Sequence, residues 1–260
     1  MKHAGAHTEI NDRTPEVVAS PASDQLAASA YVVSDRPVVL ALREFTAGYA
    51  ELAAIRDVSL SVRAGEVVAL FGPNSAGKST TLRAAVGGIP PMSGQMEWSG
   101  NPPRGWPLHR LFREGLAYVP EDRSVTATLS VEDNLRLGRG GLDKAVAHFP
   151  ELKPLLSRRT GLLSGGAQKI LVLARAVASN RKAIFADEIS LGLAPLIVER
   201  LLDAVRQTAT TDGIAVLLVE QQVRRGTAVA DRCYLLNSGR IRPEGDRTAG
   251  DCGDRGGLLR

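Results

Sequence analysis

The chain alternates short apolar runs with longer amphipathic ones, and the two periods separate strands from helices. Starting at Val38, "VVLALREF" and then "RDVSLSVR" predict two strands. In the second, Val58, Leu60 and Val62 alternate with polar residues, the period of a strand with one face covered. After a tight turn at Ala64-Gly65, "EVVALF" is apolar throughout, as in a strand covered on both faces. "TLRAAVGGI" follows as a helix. The stretch of about 90–160 is richer in Pro, Arg and Gly, with helical pieces at "VEDNLRLG" and "DKAVAHFPELKPLL". Then α/β alternation resumes: helix "AQKILVLARAVAS", strand "AIFAD", helix "LIVERLLDAVRQTA", strand "AVLLVE" and a hairpin, "CYLLNSGRIR", turning at Asn237-Ser238-Gly239. The pattern is that of an α/β domain. Residues 1–37 are polar and aperiodic and read as a disordered extension. Residues 244–260, rich in Gly, Asp and Arg, read as a flexible tail.

Composition narrows the classes. The 260 residues suffice for one large α/β domain, with 44% apolar residues and 4% aromatic, so the core must be aliphatic. A net charge of +4, with both signs mixed, gives no case for a nucleic-acid partner. No apolar run reaches the ~20 residues that cross a bilayer, and the N-terminal stretch lacks the apolar segment of a secretory signal. Of the two cysteines, Cys233 falls in an apolar strand and Cys252 in the tail. The expectation is two unpaired thiols and a reducing, cytosolic compartment.

Chemistry enters at "GPNSAGKST", residues 72–80. Gly72, Pro73, Asn74, Ser75, Ala76, Gly77, Lys78, Ser79 and Thr80 lie between a buried strand and a helix, the context in which G-x-x-x-x-G-K-[ST] cradles phosphates. Backbone N–H groups curl around phosphate oxygens, and side chains at Gly72 or Gly77 would obstruct that path. The helix N-terminus adds a positive dipole end. Lys78 suits the β/γ-phosphates and the Ser79 hydroxyl suits Mg²⁺. By itself this motif specifies a nucleoside triphosphate and nothing more. "KAIFADEIS" supplies a strand ending on Asp187, placed for the metal, with Glu188 next as a general base for water. "LLSGGAQK" adds a second anion site, Ser164-Gly165-Gly166, at the start of a helix. One nucleotide does not need two such sites in a single chain. Two chains packed head-to-tail would use both, each closing on the triphosphate of the other.

These three motifs, in this order, resemble the ATPase subunits of ABC transporters over about residues 38–243. The particular runs "AYVPEDR", "TLSVEDNLRLG", "DEISLGLAP", "LLVEQQV" and "ADRCYLLNSGRI" are similar to the subunits of branched-chain amino acid importers and their urea and amide relatives. The resemblance implies a RecA-like P-loop core, an N-terminal antiparallel β-subdomain and an inserted α-helical subdomain at about 90–165. It also implies ATP and Mg²⁺ as ligands. Partners would be a second ATPase subunit, a separate transmembrane permease and, indirectly, a solute-binding protein, at the cytoplasmic face of the membrane. Tyr49 would stack on adenine. Glu121 would sense Mg²⁺ and touch the permease, and Gln221 would contact the γ-phosphate. A glutamine cannot titrate, and none of the four histidines lies in a motif, so a histidine switch is excluded. Ser75, Ala167, Ile189 and Ala194 depart from the superfamily pattern, the last in common with the importers. An exporter ATPase and a weakly active regulatory subunit remain as alternatives.

Overall fold

The computed structural model describes residues 35–103, 108–122, 124–138, 140–179 and 181–242. The expectations for the first 34 residues and for the tail from 243 lie outside them. At the start of the described chain, Arg36 donates to the Gly65 carbonyl at 2.6 Å.

Two sheets carry the fold. An antiparallel sheet orders β2 (Leu52–Arg63), β1 (Val38–Tyr49) and β4 (Pro91–Trp98). A six-stranded sheet orders β5 (Leu116–Val119), β6 (Ala183–Asp187), β7 (Ala215–Glu220), β3 (Val67–Phe71), β8 (Arg232–Asn237) and β9 (Arg240–Ile241). Its strands run parallel except at the β8–β9 hairpin. Helices α1 (Lys78–Ala85), α2 (Leu108–Arg113), α3 (Val131–Arg136), α4 (Leu142–His148), α5 (Gly165–Ala178), α6 (Pro195–Asp212) and α7 (Val223–Gly226) connect them. This is the α/β architecture of P-loop nucleoside triphosphatases, with an antiparallel β-subdomain.

The apolar runs are explained by two-sided burial. In β6, Ile184 and Ala186 pack with α5 and α6, while Ala183 and Phe185 pack with the antiparallel sheet and α1. In β7, Val216 and Leu218 take the first face, and Ala215, Leu217 and Val219 the second. Trp98 of β4 meets Phe185 edge-on, ring centroids 6.3 Å apart, joining the two sheets. Of the stretch expected to be helical from about 90, Pro91–Trp98 is instead a strand of the antiparallel sheet and Leu116–Val119 a strand of the parallel one. Helical segments fill Val131–Leu162, where buried Asn134 holds the bend. Its side chain accepts from Thr126 N–H and donates to Thr126 O, Ser130 O and Thr160 Oγ1.

One buried ion pair locks the β-subdomain to the parallel sheet. The Glu66 carboxylate, fully buried, accepts from Arg63 N–H at 2.8 Å, from Arg232 Nε and from Arg232 Nη2 at 3.0 Å. Arg232 also donates to Ser61 O at 2.7 Å. Cys233 is buried as its apolar surroundings require, but it is disulfide-bonded rather than a free thiol. That corrects the expectation of two unpaired thiols; Cys252 lies outside the described residues.

Candidate functional site

The site forms where β3 leaves the sheet and α1 begins. Phe71 is fully buried, and the chain then turns through Gly72–Gly77 into Lys78. Ala76 N–H donates to Pro73 O at 3.2 Å and Thr81 N–H to Gly77 O at 2.8 Å, closing the loop onto the helix. Gly77 takes φ +105°, a conformation that side chains resist. Gly72 has a different reason from the one its motif suggests: a Cβ there would stand 2.3 Å from the Leu236 carbonyl oxygen of β8. The loop is thus backed by the β8–β9 hairpin, and Gly239 N–H donates to Ala76 O at 2.9 Å. Ser238 and Gly239 at its tip both have positive φ, as a two-residue type I′ turn requires. Ser75 occupies φ +64° in the loop, a cost that glycine would not carry.

Around this loop the expected residues converge. Lys78, 4% exposed, donates to Pro73 O at 3.1 Å, and its ammonium stands 3.3 Å from Glu188 Oε1. Gln221 Nε2 donates to Glu188 Oε2 at 2.6 Å. Glu188 is therefore held from both oxygens, one by a cation and one by an amide that cannot titrate. Its own backbone is strained at φ +45°, a feature common at active sites, and its N–H is fixed by Val219 O at 2.9 Å. Ser79 Oγ donates to Asp187 Oδ1 at 3.4 Å. Burial pushes the Asp187 carboxyl above its ordinary value, the Ser79 hydrogen bond opposes this, and the neighbouring Glu188 and Glu121 carboxylates add to it. A buried carboxylate beside a hydroxyl is a hard-oxygen donor pair that fits Mg²⁺, whose other positions phosphate oxygens and water would fill. Among the described residues there is no cluster of three His, Cys, Asp or Glu side chains to suggest a different metal.

The remaining residues divide. Tyr49 is half exposed, and its hydroxyl accepts from Arg83 Nη1 at 3.3 Å, a contact that raises the Arg83 guanidinium. Glu121 is exposed, just beyond β5. Ser164 caps α5, its Oγ accepting from Ala167 N–H at 3.3 Å. Among the described residues no hydrogen bond joins Ser164–Gly166 to the Gly72–Thr80 loop, so within one chain the two anion sites stay separate. Three neighbours of these residues escaped the sequence reading. Tyr118 in β5 lies against Asp187, and burial with that carboxylate pushes its phenol up to about 12. Glu220, fully buried, accepts from Ser190 N–H at 3.1 Å and from Ser190 Oγ at 2.5 Å, tying the Gln221 segment to the Glu188 segment. Lys169 of α5 is buried and reaches the Glu121 loop. Each lay within three residues of one the motifs had named, but nothing in the linear pattern set it apart from an ordinary polar position.

A phosphate loop closing on a helix, with a lysine and a strand-end carboxylate pair beside it, defines a P-loop nucleoside triphosphatase. The family model for ABC transporters matches residues 55–190. The high-affinity branched-chain amino acid transport ATP-binding protein BraG of Pseudomonas aeruginosa is 39% identical over 202 residues, 74% of this chain and 86% of that protein. The probable branched-chain amino acid transport ATP-binding protein LivF of Archaeoglobus fulgidus is 34% identical over 207 residues, 76% of this chain and 88% of that one. The lipopolysaccharide export system ATP-binding protein LptB of Escherichia coli is 33% identical over 211 residues, covering 75% and 85%. Among solved structures, an ATP-binding subunit of an ABC transporter superposes with a TM-score of 0.70 at 26% identity, covering 80% of this chain and 89% of that one. The chain belongs to the ABC transporter ATPase family: it is an ATP-binding, ATP-hydrolysing transporter subunit.

Proposed function

We propose that this subunit powers uptake of branched-chain amino acids through a separate permease at the cytoplasmic face of the membrane, as one of two ATPase chains. Among the described residues no helix is long and apolar enough to cross a bilayer. The span would therefore belong to the partner, and cargo choice to that permease and a solute-binding protein. The observation that carries the reading is the 39% identity to BraG across most of both chains.

The chemistry follows from the site. The Gly72–Thr80 loop and the α1 N-terminus receive the phosphates, with Lys78 on the β/γ oxygens. Tyr49 stacks on the base. Ser79 and Asp187 would hold Mg²⁺, with Glu121 nearby, where the ion would supply charge withdrawal from the phosphate oxygens. Glu188 orients and deprotonates the attacking water, and Gln221 keeps that carboxylate in place and donates to the γ-phosphate. Ser164, Gly165 and Gly166 close on the triphosphate held by the other chain, so ATP joins the pair and hydrolysis releases it.

The test is Glu188→Gln in the full chain. Retained ATP binding, lost turnover and a trapped dimer are expected; normal hydrolysis refutes the role of Glu188. Lys78→Ala should abolish nucleotide-dependent dimerisation. Cargo is read by isotope uptake of leucine in cells carrying the subunit with its permease. Uptake independent of the subunit would overturn the import reading in favour of export, for which LptB, at 33% identity, is the precedent.

A further inference from the structure

We propose that Lys169 is a positioning residue that fastens the Glu121 loop to the helix carrying Ser164–Gly166, so that the two halves of the nucleotide machinery move as one body. The proposal deepens the function proposed above and rests on it for the roles of those two segments.

Helix α5 opens on Gly165 with Ser164 as its cap, and Lys169 lies about one turn further in. Its side chain is 4% exposed. The ammonium donates to the backbone oxygens of Pro120 at 3.1 Å and Glu121 at 2.5 Å. Further along the same helix, Arg175 Nη2 donates to Ser124 O at 2.9 Å. Two cations of one helix thus grip three carbonyls in the first half of a single loop. Carbonyl oxygens carry no net charge, so Lys169 keeps its full charge in a buried place. Burial lowers its proton affinity, while the acidic side chains of Glu121, Asp122, Asp187 and Glu220 support the charged form. An apolar side chain would pack at this position without that cost. What a lysine adds is direction: a donor at the end of a long stem that fixes two consecutive carbonyls at one point.

The consequence concerns coupling. In the proposed dimer, Ser164–Gly166 serve the nucleotide on the partner chain, whereas Glu121 serves the chain's own nucleotide and the permease. Displacement of the Glu121 loop must then pull on α5, or break two hydrogen bonds to a buried ammonium. Lys169 would convert movement at one site into movement at the other.

The experiment compares Lys169→Met and Lys169→Arg, each in the full-length Glu188→Gln chain. ATP affinity is measured below the dimerisation concentration, and ATP-driven dimerisation by sedimentation. Hydrogen exchange is measured at the backbone amides of residues 121, 122 and 124. Lys169→Met should leave ATP affinity within twofold, weaken dimerisation at least tenfold and speed exchange in the loop about tenfold. Lys169→Arg should recover both effects to within about threefold. Unchanged exchange in Lys169→Met refutes the tether. Faster exchange with dimerisation within twofold of the parent refutes the coupling, as does loss of ATP affinity in step with dimerisation. Should the parent itself bind ATP without dimerising, the dimer reading fails and the coupling with it, whereas the exchange result still decides whether Lys169 holds the loop.

Discussion

Replacement of Arg232 by Met isolates the energetics of the joint between the β-subdomain and the parallel sheet. Glu66 is fully buried and receives three hydrogen bonds, two of them from Arg232. In Arg232→Met the carboxylate keeps a single backbone donor, Arg63 N–H. Breaking a buried ion pair by removing one partner costs about 3–5 kcal/mol. Glu66→Leu strands the guanidinium instead, but Arg232 retains Ser61 O and the Tyr234 hydroxyl as acceptors, and its side chain is 17% exposed. Its cost should be nearer 2 kcal/mol, one lost charged hydrogen-bonding partner. Removing both charges leaves no orphan, and exchanging a buried pair for apolar residues is close to neutral. The double variant Glu66→Leu/Arg232→Met should thus lose about 0–2 kcal/mol, well under the sum of the singles, with a coupling of about 3 kcal/mol or more. Urea unfolding followed by circular dichroism, with all four chains at equal slope, measures each value. If the double variant loses the sum of the two singles, or Arg232→Met loses under about 1 kcal/mol, the pair is not the lock described here.

Four further outcomes follow from particular contacts. Gly72→Ala forces a Cβ to within 2.3 Å of Leu236 O, so ATP binding should be lost and the melting temperature lowered; calorimetric titration and a thermal melt read both. Ser75→Gly relieves a left-handed conformation worth about 1–2 kcal/mol but restores about 0.5–1 kcal/mol of unfolded-chain freedom, so a small rise in melting temperature is expected. Asn134→Leu removes four hydrogen bonds and should cost about 2–4 kcal/mol in urea unfolding. Burial raises the Glu220 carboxyl above the ordinary glutamate value of 4.5, against the two Ser190 hydrogen bonds that lower it. A carboxyl raised in the folded state stabilises fully below its unfolded value and loses that contribution as pH rises through its folded one. The stability of the native chain relative to Glu220→Gln should therefore fall as pH rises above about 4.5; a difference that stays flat or rises would contradict the assignment.

How much the sequence disclosed depends on where each signal sits. Strands with a one-sided or fully apolar pattern, such as β2 and β6, read correctly because burial dictates side-chain period. Strand β4 did not, since most of Pro91–Trp98 is exposed and its face carries no apolar alternation. Lys78, Asp187 and Glu188 were legible because phosphate and metal chemistry demand those residue types at fixed offsets. Lys169 was not, because its partners lie 48 and 49 residues away and are backbone atoms without sequence identity. The glycine at position 72 was found for one reason and is required for another, the close approach of β8.

That close approach bears on the order in which the protein can mature. Leu236 and Gly239 press on the phosphate loop from behind, though they lie some 160 residues further along the chain. A nascent polypeptide emerging from the ribosome would carry its whole nucleotide motif early, yet the loop would lack its backing until the segment from Arg232 to Gly239 had been synthesised and docked. Affinity for ATP should accordingly appear late in translation.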